Sequence, residues 1–200
     1  MPPARVARRL VLAGATAGLA GCAAAYRTDI LRKDERTDAQ NAIADTKFDH
    51  GELTVQLSSE RQDTTFDPGQ PIALSVTANK NAYVAVLRVL ESGDTTIVFP
   101  NQARRDAAIA ANTPLAIPGP GDAVKIVADK PGIVLFEVVA STSGTSWVFK
   151  REPDKGSDFA NLGATTRSIA KDLVSSLKVS GAADTAAVHL TIRITGRGLF

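Results

Sequence analysis

Few residues in this 200-residue chain have the types and spacing that chemistry needs. His50 and His189 are the only two histidines, and neither has a neighbour at metal-ligand spacing. His189 alternates with Leu190 and Ile192, which turns it away from their apolar face. Both histidines therefore read as surface residues. No Gly-x-Ser-x-Gly elbow occurs, and Ser141-Thr142-Ser143-Gly144 reads as a flexible loop. Asp63, Asp67, Glu91, Asp94, Asp106 and Asp122 sit in turn-rich stretches without EF-hand spacing, where turn chemistry accounts for them. The glycine-rich spots at residues 118–121 and 196–198 lack the strand–loop–helix context and the lysine of a phosphate loop. No catalytic residue, metal or cofactor is expected, and no small-molecule substrate is evident. What remains is recognition chemistry. Arg104 and Arg105 follow the strand-stopping Pro100; solvated charge is the default reading of the pair, and an acidic partner is the sharper one, since paired guanidinium groups suit carboxylates or phosphates. Tyr83 and Asn101 admit two readings: a recognition surface at a hairpin's end, or a core aromatic plus a strand terminator. The second is favoured, because a tyrosine in a central strand can bury its ring and still bond its hydroxyl.

Cys22 is the only cysteine, so it cannot form an internal disulfide or a CxxC motif. It ends the run Leu19-Ala20-Gly21-Cys22. Arg5, Arg8 and Arg9 precede an apolar stretch at residues 10–20, the order of a secretory signal peptide. That stretch is too short for a bilayer span, which needs roughly 20 apolar residues. The small residues ahead of the cysteine resemble the lipobox of bacterial lipoproteins. The resemblance implies cleavage before Cys22 and acylation of its thiol, and two acyl chains hold where one is marginal. Arg8-Arg9-Leu10-Val11-Leu12 partly resembles a twin-arginine signal, but it lacks the usual Ser and Phe, and the general export route is the favoured reading. Ala23 after the cysteine, in place of Asp, resembles lipoproteins sorted to the outer membrane. The expected location is therefore the outer membrane, with the domain facing the periplasm.

Cleavage would remove three arginines, leaving 20 Lys+Arg against 21 Asp+Glu. The apparent basicity thus belongs to the precursor, and no basic patch with interleaved aromatics points to nucleic acid. The mature length suits one domain plus a spacer and a core without disulfides.

The expected organisation is a signal peptide at residues 1–21, a charged tether at 22–50 and a β-sandwich domain at 51–200. The tether is polar, as in Leu31-Arg32-Lys33-Asp34-Glu35-Arg36; its sparse Ile30, Leu31, Ile43 and Phe48 could support a short helix against the domain, but a solvated spacer is favoured. From Gly51 the period becomes two. Leu53, Val55 and Leu57 form one strand, and Ile72, Leu74 and Val76 another. Residues 83–90 are almost continuously apolar, as in a strand covered on both sides, and Glu91-Ser92-Gly93-Asp94 turns it into Thr95-Thr96-Ile97-Val98-Phe99. Residues 102–112 read as a loop or one helical turn. Val124, Ile126 and Ala128 predict a strand that pairs across Lys130-Pro131-Gly132 with the apolar run 133–140. Trp147-Val148-Phe149 could be a short strand. Leu162, Thr166, Ile169, Leu173 and Leu177 fall at helical spacing, with Gly181 as a stop. Val188, Leu190, Ile192 and Ile194 form a last strand. Phe200 continues their parity, but the strands are too short and too apolar on both faces for a membrane barrel. The fold class is mainly β: an antiparallel sandwich or small barrel with one late helix and a final strand.

Residues 66–142 carry the landmarks Phe66-Asp67-Pro68-Gly69-Gln70, Asn81-Ala82-Tyr83-Val84, Thr96-Ile97-Val98-Phe99-Pro100-Asn101, Ile117-Pro118 and Pro131-Gly132. This stretch resembles a bacterial domain-of-unknown-function family, number 4384, found in envelope lipoproteins and in larger exported proteins. Ala82 stands where the family usually has Gly. The resemblance implies an immunoglobulin-like sandwich and brings no catalytic residues.

The expected function is a lipid-anchored envelope protein with a non-catalytic interaction or structural domain. Its partners are the membrane, through Cys22, and an envelope protein met by a surface that includes Arg104, Arg105, Asn101 and Tyr83. The alternatives are an accessory lipoprotein of an envelope-spanning secretion or assembly machine, and an envelope hydrolase with a site assembled from loops.

Overall fold

The structure is a computed structural model that describes residues 35–48, 50–61, 64–178 and 183–196. Cys22 and the signal-peptide stretch lie outside the described residues. The chain order is α1 (Asp38–Ala44), β1 (Val55–Ser59), β2 (Thr65–Phe66), β3 (Leu74–Ala78), β4 (Ala82–Leu90), β5 (Thr95–Phe99), β6 (Ala108–Ile109), β7 (Leu115–Ile117), β8 (Gly132–Ser141), β9 (Ala160–Asn161), α2 (Thr166–Lys178) and β10 (Thr185–Ile194). The strands form a three-stranded sheet, β1-β3-β7, and a seven-stranded sheet, β2-β10-β8-β4-β5-β9, with β6 beside β4. All pairings between strands are antiparallel except β2 with β10.

Three layers follow from the side-chain alternation. One face of β8 gives Val134, Phe136, Val138 and Ala140 to the core between the sheets, where they meet Leu74, Val76 and Ile117. The other face gives Leu135 and Val139 to a second core under the helices, with Ile43, Ile169, Leu173 and Leu177. This double covering explains why β4, β5 and β8 read as continuous apolar runs rather than alternating ones. The small sheet has only one covered face, so β3 alternates.

The β4–β5 hairpin closes as its sequence predicts. Leu90 N–H donates to Asp94 O (3.0 Å), and Gly93 adopts a φ of +90°. A Cβ at Gly93 would also stand 3.2 Å from Ala39 and 3.8 Å from Thr166, so glycine here lets both helices approach the turn. α2 carries its predicted buried stripe of Thr166, Ile169, Leu173 and Leu177.

Three local expectations are corrected. Residues 124–128 do not pair with β8, whose two edges are taken by β4 and β10. Their alternation is real, since Val124, Ile126 and Ala128 are buried, but they bond to the residues preceding β3: Ile72 N–H donates to Ile126 O (2.8 Å) and Ala128 N–H to Gln70 O (3.0 Å). Residues 147–149 form a 3₁₀ turn, not a strand. Residues 35–48, expected as solvated spacer, pack on the domain: Ile43 is fully buried and Phe48 nearly so. A capping box starts α1, in which Thr37 accepts from Gln40 N–H and Gln40 reaches back to Thr37 N–H.

Candidate functional site

β-strand register sorts the candidate residues between two ends of the large sheet. Tyr83 lies opposite Ser141, which lies opposite Thr185; at the other end Leu90 lies opposite Val134, and Ile192 lies opposite Val134 in turn. The first is called here the loop end and the second the hairpin end.

Tyr83 is at the loop end, on the helix side of β4. It is 37% exposed, the one exposed large hydrophobic among the described residues. Its ring does not enter the core as expected. It lies 6.2 Å from the Phe149 ring and closely over Gly144, where a Cβ would come within 2.7 Å of it. The 101–107 loop returns beside the same strand: Val84 N–H donates to Ala107 O (2.9 Å), and Tyr83 pairs with Ala108. Arg104 and Arg105 are exposed on this loop, as expected, and the Arg105 guanidinium donates to Gln102 Oε1 (3.0 Å).

Asn101 is not a surface contact. It is 1% exposed. Its amide donates to Val98 O (3.0 Å), and its Oδ1 accepts from Ala103 N–H and Arg104 N–H (both 3.0 Å). It therefore shapes the loop that displays the arginines. The physical reason is the side chain's ability to mimic a backbone turn.

Beside the loop end an open groove of about 680 Å³ runs along α2. Trp147, Leu162 and Ile169 supply apolar lining, while Arg151 and Asp172 supply charge. The Ser146 and Ser176 hydroxyls, 2.7 Å apart, tie the 3₁₀ turn to the helix.

The sequence reading passed over Glu137, hidden in the apolar run of β8. It is 1% exposed and faces His189 across the β8–β10 pairing, with Nδ1 3.7 Å from Oε2. His189 is accordingly half-buried rather than a surface residue. The signal that could have found them is a lone acid inside an otherwise apolar strand. His50 is exposed and joins β10 through backbone bonds alone: its N–H and O bond Thr185 O and N–H at 2.8 Å each.

Two further charged sites have clear physical causes. Lys80 Nζ lies 2.7 Å from Asp184 and 3.3 Å from Glu52. The Asp184 hydrogen bond raises the Lys80 ammonium pKa, and the Lys80 hydrogen bond lowers that of the Asp184 carboxyl. Arg88 is drawn below its ordinary value by desolvation, partly offset by Asp129 at 3.6 Å. Asp106 and Asp122 serve turns, as expected, accepting from Ala108 N–H and Gly119 N–H, whereas Glu91 reaches across to accept from Ile133 N–H at the start of β8 (2.6 Å). Asp63 lies outside the described residues. Among the described residues no group of three or more His, Cys, Asp or Glu could hold a metal ion, and no helix is long and apolar enough to cross a membrane.

Residues 65–144 match the profile of a domain of unknown function, DUF4384. The match runs from β2 to the loop after β8, so α1, β1, β9, α2 and β10 lie outside it. No curated protein and no solved structure matches the chain.

Proposed function

We propose that the protein is a lipoprotein of the bacterial envelope whose sandwich domain binds an envelope protein at its loop end, without catalysing a reaction. In this reading the signal peptide is cut before Cys22, acyl chains on Cys22 hold the protein at the outer membrane, and the domain faces the periplasm. The tether then spans residues 22–34, and the domain starts at about Glu35.

One observation carries the binding reading. The exposed large aromatic, Tyr83, shares the loop end with two exposed arginines. Tyrosine and arginine are enriched in protein interfaces and among their dominant contacts, because each combines apolar area with directed hydrogen bonding. Asn101 and Gly144 hold that surface in shape from below. Loops on a rigid sheet are the usual place for recognition.

The test places a photo-crosslinking amino acid at position 83, 105 or 92 in cells. Adducts of one discrete mass at 83 and 105, absent at the hairpin residue 92, support the reading. Adducts at 92 alone would move the binding surface. Separately, the mature protein should carry acyl chains on an N-terminal Cys22, and Cys22→Ser should leave an uncleaved or soluble precursor; an N-terminal mass without acyl chains would refute the anchor.

A further inference from the structure

The segment before β1 is a strap that crosses the helix side of the large sheet from one end to the other. It enters at the hairpin end. There Glu35 pairs with Arg193 (2.5 Å), which lies opposite Ile133 at the start of β8. Thr37 Oγ1 donates to Glu91 O (3.2 Å), and the buried Gln40 amide donates to Val89 O (3.1 Å) and Ile133 O (2.9 Å). The strap leaves at the loop end. Thr185 Oγ1 donates to Phe48 O, and His50 pairs with Thr185, opposite Ser141. Between these points Ile43 is sunk in the helix-side core.

The strap reverses the polarity of attachment. A domain that began at Gly51 would hang from its loop end, with Tyr83 and the arginine loop next to whatever the chain is fixed to. With the strap docked, the most N-terminal described contact is that of Glu35 with Arg193, at the opposite end. The eight steps of β8 from Ile133 to Ser141 separate the two ends by about 26 Å. The 13 residues 22–34 reach at most about 45 Å even when fully extended. The hairpin end is therefore held within about 45 Å of the anchor, and the loop end can stand up to a strand's length further from it.

We infer that the strap turns the hairpin end of the domain toward the lipid surface and presents the Tyr83, Arg104 and Arg105 end away from it. This rests on the lipid anchor proposed above. Its consequence is that the partner lies on the side of the domain facing away from the membrane.

Acylation of Cys22 leaves no other thiol in the chain, so a single introduced cysteine can be labelled uniquely. Ser92→Cys at the hairpin and Arg104→Cys at the loop end are both exposed positions. Full-length acylated protein carrying a fluorophore at either position is incorporated into phosphatidylethanolamine–phosphatidylglycerol vesicles with a quencher on the headgroups. A second pair starts at Ala23 with a hexahistidine tag and is held on nickel-chelating vesicles of the same composition. Quenching at 92 with retained emission at 104 is expected on both. Equal quenching, or stronger quenching at 104, would overturn the orientation. If the acylated form fails to float with vesicles while the tagged form keeps the asymmetry, the lipid reading fails and the strap's polarity stands.

Discussion

Replacing Ile43 with Ala asks whether residues 35–48 belong to the domain or merely precede it. Ile43 is fully buried, in a core with Leu87, Leu135 and Leu173. Deleting its outer carbons loses their transfer free energy and leaves a cavity between α1 and the sheet. The cost of such a change at a rigid site is about 3 kcal/mol. For a domain of this size that corresponds to a fall in Tm of roughly 6–12 °C. The assay is thermal unfolding of the chain from Ala23, followed by near-UV circular dichroism and by the fluorescence of Trp147, the single tryptophan. Trp147 packs against the same core, so its emission reports the layer that Ile43 fills. Gln40→Leu in parallel strips the donor from two buried carbonyls and should cost about 2 kcal/mol. A solvated spacer would make both changes silent. An unchanged Tm for Ile43→Ala would refute the strap, and the orientation argued from it would fall as well.

Three other outcomes are expected. Asn101→Ala should lower stability by about 2 kcal/mol in chemical denaturation, because three hydrogen bonds of a buried amide are lost, whereas Arg104→Glu with Arg105→Glu should leave the midpoint unchanged. Leu173→Ala should cost about 3 kcal/mol, and truncation after Gly156 should yield aggregated protein, since both α2 and the central strand β10 would be lost; a soluble, cooperative truncated domain would contradict the three-layer packing. Asp184 has a lowered carboxyl pKa in the fold, so its bond to Lys80 stabilises above the ordinary carboxylate range and is lost as pH falls through the folded value; Lys80 has a raised pKa, so the bond survives until pH rises above the ordinary lysine range. Between those limits Lys80→Ala should unfold at a lower denaturant concentration than wild type. The difference should vanish in acid, and it should shrink in high salt because the pair is partly exposed to solvent.

Local chemistry alone determined the pieces whose signals lie close together in the chain. The two-residue period placed β3 and β10, the Ser92-Gly93-Asp94 turn joined β4 to β5, and the 3.6-residue stripe from Thr166 to Leu177 fixed α2 and its buried face. Each of these is a pattern that one element's own geometry imposes on its neighbours in sequence. The exposed arginines on a loop after Pro100 were legible for the same reason. Tertiary structure decided what depends on partners far along the chain. Residues 124–128 alternate as a strand should, yet the neighbour of β8 is β10, because the last strand has the longer apolar edge to offer and occupies that edge along all ten residues. Ile43 and Phe48 are too sparse to announce a buried segment, and only the bare helix-side face of the sheet makes burying them favourable. The same holds at the candidate site. Tyr83 is held at the surface by the closeness of Gly144 and Phe149, Asn101 is drawn inward by the loop it caps, and Glu137 meets His189 only because β8 and β10 pair in that register.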